Sequence, residues 1–407
     1  MSNEEKLVRM LKYVSEHNDF YKKRIKEYGI TNPLDITQWP ILTRKELQEN
    51  RYNMFSDGYK SKYFNQQLRR QSSSGSTGMP VNVYWDYKDW YASNMALWRK
   101  RLKWYNIHPQ DKYVMFTLNA FNVRNDGATV YYVKEPDNGL SINASMIQNE
   151  SGYDRIVEII NDYDPKWMYI QPFILNRLIQ AYERTNNNPP KSLRYIESVG
   201  ELLASDLRKK TISFFKVPLA NMYGSEEMNG IAYENPDSRM HILADNVYIE
   251  VKKEEVIRFN GEGESIITNL NNYAMPLIRY NQGDIINKDI CGNLQYVKEI
   301  KGRSSQCISI DGGIEISSLL LQEVISQVNN QYDDIIHEYR FFYDKNNKKL
   351  RCFIKIINEK DKWADIVFKR LYEVLSEKTN SFIPFTCEVI DMKDDLISLK
   401  NAILIIE

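Results

Sequence analysis

The chain has no excess of charge of either sign, because 54 lysines and arginines balance 54 aspartates and glutamates among its 407 residues. Without a net field, nothing in the composition attracts nucleic acid or an anionic membrane surface. We therefore expect no nucleic-acid partner. No stretch approaches the roughly 18 consecutive apolar residues of a membrane-spanning helix, so no membrane span is expected either.

Cysteine and histidine are scarce, with four residues of each type. The cysteines form no CxxC pair, and the N-terminal residues lack the apolar core of a secretory leader. These absences argue against a disulfide framework and against a zinc knuckle, and they make the cytoplasm the default location. A composition of 43% hydrophobic and 27% charged residues is typical of a folded protein.

Strand and helix patterns alternate from about residue 110 onward. The segments YVMFTL, WMYI, LRYIE and PLANM read as strands, and amphipathic helices are indicated for YDRIVEIIND, FILNRLIQAYERT and SDLRKKTISFF. This alternation predicts an α/β fold built on a mostly parallel sheet with helices on its faces.

Other regions of the chain have different patterns. Apolar residues at helical spacing predict a helical lead-in within residues 1–50, and short strand patterns over about 240–300 predict a smaller β-rich layer. The segment 303–407 mixes both patterns and has the length of an independent domain. We expect a large domain over 1–302 and a small, mobile α+β domain over 303–407.

The sharpest local signal is the Ser/Gly-rich segment SSSGSTGMP at residues 72–80. Such a loop offers backbone N–H groups and hydroxyls to phosphate oxygens without obstruction by large side chains. It lacks the GK[ST] ending of a Walker loop. A flexible Ser/Gly connector is the alternative interpretation.

Further segments carry glycine and acidic residues near the ends of predicted strands. SVGE follows LRYIE, YGSEE follows PLANM, and the apolar run AMPLIRY leads into a glycine and Asp284. An open α/β sheet binds its ligands at the carboxyl ends of its strands, and a carboxylate there can hold a hydroxyl, an amine or Mg²⁺. The alternatives are solvated helix-start carboxylates for Glu226 and Glu227, and a turn aspartate that caps its own backbone for Asp284.

Taken in chain order, these segments resemble the adenylate-forming superfamily, specifically its phenylacetate-CoA ligase and capsule-biosynthesis branch. The resemblance spans nearly the whole chain: LKYV, FYKKR and WPILTRKEL are similar to the N-terminal entry of that branch, and KGRSSQCISIDGGIEIS to its hinge and the first strands of its mobile C-terminal domain. It implies an AMP-forming ligase that uses ATP and Mg²⁺, with CoA as the expected acyl acceptor.

The resemblance also implies roles for individual residues. Loop residues would contact the β and γ phosphates of ATP: Ser73, Ser74, Gly75, Ser76, Thr77 and Gly78. The remaining nucleotide contacts would come from Gly200 and Glu201 at the adenine edge, Tyr223 at the adenine face with Gly224 and Ser225 beside it, Asp284 at the ribose hydroxyls and Arg303 at ribose or phosphate.

Two residues would carry the chemistry by the same resemblance. Glu227 would be the Mg²⁺ ligand, and Lys400, near the chain end, matches the place of the catalytic lysine. Four departures from the family pattern are visible. Met79 stands where the phosphate loop often has lysine, Glu226 where serine or threonine is usual, and Ser305 where the hinge commonly has aspartate or lysine, and no glycine precedes Lys400.

The sequence thus predicts ATP-dependent activation of a carboxylic acid as an acyl-adenylate, followed by acyl transfer to CoA. A synthetase that forms an amide or ester in polysaccharide or natural-product biosynthesis is an alternative, and so is a nucleotide-binding homologue with impaired catalysis. The acid is open, with only Phe121, Tyr131, Tyr132 and Ile231 as candidates for its pocket. The oligomeric state is also open, with a homodimer as one option.

Overall fold

The computed structural model describes residues 1–72, 81–117, 132–144, 150–303, 307–310, 314–332, 335–356, 360–379, 384–389 and 404–406. Its helices are α1 (Asn3–His17), α2 (Asp19–Glu27), α3 (Arg44–Asn50), α4 (Tyr59–Phe64), α5 (Tyr87–Tyr105), α6 (Glu150–Tyr163), α7 (Pro172–Thr185), α8 (Ser205–Phe215), α9 (Ser318–Gln331) and α10 (Lys360–Thr379). A short 3-10 helix lies at Ile36–Gln38. In the described part of the chain, no helix has both the length and the apolar character needed to cross a membrane.

The strands are β1 (Arg69–Ser72), β2 (Asn82–Trp85), β3 (Tyr113–Thr117), β4 (Tyr132–Lys134), β5 (Gly139–Asn143), β6 (Trp167–Ile170), β7 (Tyr195–Val199), β8 (Leu219–Ser225), β9 (Asn229–Glu234), β10 (Met240–Ile242), β11 (Val247–Lys253), β12 (Val256–Arg258), β13 (Gly261–Asn269), β14 (Tyr280–Cys291), β15 (Leu294–Arg303), β16 (Cys307–Ile310), β17 (Ile314–Ser317), β18 (Ile336–Asp344), β19 (Lys349–Ile356), β20 (Phe385–Val389) and β21 (Leu404–Ile406).

The chain divides into two compact units. Unit 1 comprises Met1–Pro109 and Ala220–Ile300, and unit 2 comprises Gln110–Leu219 and Lys301–Glu407. Each unit therefore combines two separate stretches of sequence. The expectation of domains over 1–302 and 303–407 stays a prediction.

Unit 1 combines the N-terminal helices with an antiparallel sheet. Helix α1 begins with a capping box between Ser2 and Glu5, and its apolar positions at helical spacing are buried. The sheet runs in the order β12-β11-β13-β14-β15-β10-β9-β8. Strand β11 pairs antiparallel with β12 and β13, β13 with β14, β10 with β15 and β9, and β8 with β9. The predicted β-rich layer over about 240–300 is confirmed. Strands β1 and β2 pair separately on either side of the Ser/Gly-rich segment.

Unit 2 contains the parallel sheet that the alternating pattern predicts. Strands β5, β3, β6 and β7 pair in parallel, and β4 adds an antiparallel edge. Helices α6, α7 and α8 contribute apolar side chains to the core beside this sheet. A second sheet in the order β20-β19-β18-β21 shares an apolar core with α9 and α10. The α/β fold with a smaller α+β region is confirmed.

Candidate functional site

The YGSEE segment lies at a β-hairpin in unit 1. Tyr223, Gly224 and Ser225 end β8, a turn follows, and β9 returns from Asn229. A Cβ atom at Gly224 would stand 2.5 Å from the carbonyl oxygen of Asn229, so only glycine fits this close approach. The turn shows that Glu226 and Glu227 do not start a helix, which removes one alternative interpretation.

Strand β14 brings a second set of polar side chains to this hairpin. Its pairing with β13 is irregular, because Asn281 lies opposite Ile266 whereas Ile285 lies opposite Glu264. The intervening segment of β14 includes Gly283, whose φ of +85° suits glycine. Such bulges re-aim side chains beside functional sites, and this one includes Asp284.

A hydrogen-bond network joins β14 to the hairpin. The Tyr223 hydroxyl donates to Asp284 Oδ2 at 2.7 Å. Gln282 Nε2 donates to both partners, at 2.7 Å to Tyr223 Oη and 2.8 Å to Asp284 Oδ2. Ser225 Oγ donates to Gln282 Oε1 at 3.0 Å. Burial, and next the Asp284 charge, raises the pKa of Tyr223 well above its usual value, so its hydroxyl stays protonated as a donor.

Glu227 is a buried carboxylate in the same hairpin, with 4% of its surface exposed. Its Oε1 accepts from the Tyr280 hydroxyl at 3.3 Å and from Arg44 Nη1 at 3.4 Å. Within the described ranges, no group of three or more His, Cys, Asp or Glu residues could hold a metal ion. Mg²⁺ commonly binds proteins through one or two carboxylates together with substrate phosphates, so Glu227 fits the role of a Mg²⁺ ligand.

Glu226 points to the start of the Ser/Gly-rich segment. Its Oε2 accepts from Gln71 Nε2 at 3.2 Å, one residue before Ser72. Desolvation, and next the Glu227 charge, raises the pKa of Glu226. The departure from the family's serine or threonine therefore puts two adjacent carboxylates at this turn, each with its own polar partner.

The SVGE segment lies in unit 2, directly after β7. Gly200 has a φ of +80°, the left-handed conformation that favours glycine. Glu201 Oε2 accepts from the Phe173 backbone N–H at 3.2 Å, at the N-terminal end of α7. Burial raises the pKa of Glu201 to about 7. The turn therefore presents an acid that titrates near neutral pH.

The end of β15 lies beside this turn in unit 2. A Cβ atom at Gly302 would be 3.4 Å from Leu202 Cδ1, which brings the backbone next to Arg303 close to the residues after Glu201. On β18, Tyr339 interacts electrostatically with Glu201. These contacts gather the adenine-edge candidates and the expected hinge region within one unit.

Several predicted residues lie outside the described ranges. They are Ser73, Ser74, Gly75, Ser76, Thr77, Gly78, Met79, Phe121, Tyr131, Ser305 and Lys400. Of the other acyl-pocket candidates, Ile231 is fully buried and Tyr132 is 40% exposed.

Sequence reasoning missed four residues of this site: Arg44, Gln71, Tyr280 and Gln282. Tyr280 and Gln282 stand within the segment that ends in Asp284, at positions i−4 and i−2 from that aspartate. Period-two spacing on a strand could have identified them. No local signal identifies Arg44, which is 183 positions from its partner Glu227.

The sequence matches known enzymes over much of this region. The profile of the AMP-binding enzymes matches residues 71–267. The phenylacetate-coenzyme A ligase of Pseudomonas putida is 24% identical over 362 residues, which is 83% of this chain and 77% of that protein. The ligase of the same name from Escherichia coli K12 is 23% identical and covers 77% of this chain and 73% of its own length.

A solved structure of a 2-hydroxyisobutyryl-CoA ligase shares the fold. It aligns with a TM-score of 0.77 at 15% identity and covers 100% of this chain and 89% of its own. The resemblance expected from the ordered motifs is therefore confirmed by sequence and by fold. The chain is thus similar to the AMP-binding enzymes over residues 71–267 and to phenylacetate-coenzyme A ligases over most of its length.

Proposed function

We propose that this protein converts a carboxylic acid and ATP into an enzyme-bound acyl-adenylate with release of pyrophosphate, and then transfers the acyl group to CoA with release of AMP. The observation that carries the proposal is the network of Tyr223, Gln282 and Asp284 beside the buried Glu227. The match of residues 71–267 to the AMP-binding enzymes and the likeness to CoA ligases support the reaction type.

The proposed nucleotide site is organised around Asp284. Two donors, Tyr223 and Gln282, hold its Oδ2, so the carboxylate is oriented before a ligand arrives. An oriented carboxylate can accept hydrogen bonds from the two hydroxyls of a ribose. Tyr223 would face the adenine ring, and the Ser/Gly-rich loop would bind the β and γ phosphates. The nucleotide-binding roles of Gly200, Glu201 and Arg303, which belong to unit 2, stay predictions from the sequence.

The chemical step requires positive charge near the α-phosphate of ATP. A carboxylate must approach the α-phosphate of ATP, although both groups are anionic, so positive charge has to offset the negative charge that gathers in the transition state. Bound Mg²⁺, held through Glu227, would supply part of it. Lys400 would supply the rest by donating to an oxygen of the α-phosphate or of the reacting carboxylate.

Exchange between ATP and labelled pyrophosphate tests the first half-reaction, because it requires adenylation and no acyl acceptor. We expect exchange with at least one member of a panel of aromatic and aliphatic carboxylic acids. Nucleotide binding without exchange for any acid would contradict the proposal and favour the impaired homologue.

With an acid that supports pyrophosphate exchange, the identity of the acyl acceptor can be tested. We expect CoA to accelerate AMP release and to yield a thioester that absorbs in the ultraviolet. AMP release that responds to amines or hydroxyl compounds and not to CoA would contradict the transfer step and support the amide- or ester-forming alternative.

A further inference from the structure

The segment that carries Arg44 is attached to β14 by backbone hydrogen bonds. The Leu42 N–H donates to the Arg279 carbonyl at 2.9 Å, and the Asn281 N–H donates to the Leu42 carbonyl at 3.0 Å. Leu42 thus forms a parallel bridge with Tyr280. This bridge fixes the backbone two residues before Arg44. The backbone position of Arg44 is therefore tied to that of β14.

Helix α3 fixes the next part of the segment. Thr43 and Glu46 form a capping box, in which Glu46 N–H donates to Thr43 Oγ1 at 3.2 Å and Thr43 N–H donates to Glu46 Oε2 at 2.8 Å. Arg44 is the first residue of this helix. Its backbone is therefore held from both sides, by the bridge to β14 and by the cap.

The Arg44 side chain reaches the buried carboxylate of Glu227. Both Arg44 and Tyr280 donate to the same oxygen, Oε1, while the side chains of Arg44 and Glu227 are 24% and 6% exposed. The Glu227 backbone is held as well, because Asn269 Nδ2 donates to its carbonyl at 3.4 Å. Two donors on one oxygen, together with the held backbone, restrict the orientation of the carboxylate.

We propose that Arg44 is a positioning residue of the Mg²⁺ site, which orients the Glu227 carboxylate for the metal by donating to its Oε1. This inference rests on the proposed function of Glu227. Metal-ligating carboxylates depend on their own hydrogen-bond donors, and loss of such a donor typically lowers metal affinity by about 10- to 100-fold. Arg44 acts through Glu227 and is not assigned a contact with the nucleotide.

The test compares ATP affinity in saturating Mg²⁺ with ATP affinity in EDTA, measured by isothermal titration calorimetry on the full-length chain. Their ratio reports the contribution of the metal and does not require turnover. We expect Arg44→Gln to lower this ratio about tenfold or more and to leave AMP affinity in EDTA unchanged. Arg44→Lys keeps the charge but loses the planar fork, so it should give an intermediate ratio.

Lys45→Gln is the matched control, because Lys45 is adjacent, is 82% exposed and pairs only loosely with Glu49 at 3.8 Å. It should leave the ratio unchanged. A double-mutant cycle then shows whether Arg44 acts on metal binding through Glu227. Glu227→Gln should lower the ratio, and adding Arg44→Gln to it should lower the ratio no further.

Three results would overturn the inference. They are an unchanged ratio in Arg44→Gln, an equal loss of ATP affinity with and without Mg²⁺, and a further loss when Arg44→Gln is added to Glu227→Gln. Each of these is compatible with adenylation, which pyrophosphate exchange tests separately. Absence of any ATP or AMP binding by the unaltered protein would instead refute the proposed function and the inference together.

Discussion

Two ion pairs of unit 1, one buried and one partly buried, differ in how closely the arginine binds its carboxylate. Arg279 binds both oxygens of Glu250, at 2.9 Å to Oε2 and 2.7 Å to Oε1, and also donates to the carbonyls of Thr37 and Trp39. Arg44 donates to Oε1 of Glu227 at the longer distance of 3.4 Å. The first pair is a structural ion pair, whereas the second includes the carboxylate that we propose as a Mg²⁺ ligand.

The largest effect is expected from Arg279→Gln. Glu250 is 6% exposed, and removing one partner of a buried ion pair leaves an uncompensated charge. We expect a loss of about 3 to 5 kcal/mol in the free energy of unfolding, measured by urea denaturation. Arg44→Gln serves as the comparison and should lose less. Equal losses for the two variants would abolish the distinction between the pairs.

Lys400→Ala compares Arg279, a cation that stabilises the fold, with Lys400, a cation whose proposed role is in the reaction. By analogy with the loss of a preorganised transition-state donor, we expect the adenylation rate to fall about 10²- to 10³-fold, or about 2.7 to 4 kcal/mol. The urea midpoint should stay that of the unaltered protein. An unchanged rate of pyrophosphate exchange would remove Lys400 from the site.

Glu201 extends the comparison to an acid that accepts a hydrogen bond from a backbone N–H, that of Phe173. Its pKa rises from 4.5 to about 7 through burial, so between these values the folded state binds more protons than the unfolded state. Stability therefore falls as pH rises from about 4.5 to 7, by at most about 3 kcal/mol from this group. Glu201→Gln should flatten this part of the stability profile. If Glu201→Gln left the slope of stability against pH unchanged, Glu201 would not be the group that titrates in this range.

The smallest effect is expected from Tyr280→Phe, which removes one hydrogen bond to Glu227 and leaves Arg44 in place. A single hydrogen bond contributes about 0.5 to 1.5 kcal/mol. We expect the ratio of ATP affinities in Mg²⁺ and EDTA to fall about two- to tenfold. A fall larger than that of Arg44→Gln would make Tyr280 the main positioning residue of Glu227.

Local patterns predicted much of the fold but only part of the site. Strand β7 and its following turn were predictable because five consecutive buried residues precede a glycine that needs positive φ. Helix α5 was not predicted, because its apolar residues do not form one stripe: Ala96 and Leu97 are buried, whereas Tyr91 and Met95 are exposed.

The contacts around the carboxylates could not be predicted from local pattern. The bond from Tyr223 to Asp284 spans 61 positions, and the contact from Arg44 to Glu227 spans 183. Such pairings depend on the order and register of the strands in the sheet, which short-range periodicity does not specify. Chain-order resemblance identified Glu227 and Asp284, but it did not identify the residues that hold them.

Transfer of isotope from the acid to AMP tests the central claim most directly. An accepted acid labelled with ¹⁸O in its carboxylate is incubated with the protein, ATP, Mg²⁺ and CoA, and the products are analysed by mass spectrometry. Attack of the carboxylate on the α-phosphorus predicts one ¹⁸O atom in AMP and none in pyrophosphate. Unlabelled AMP, or label in inorganic phosphate together with ADP, would contradict an acyl-adenylate.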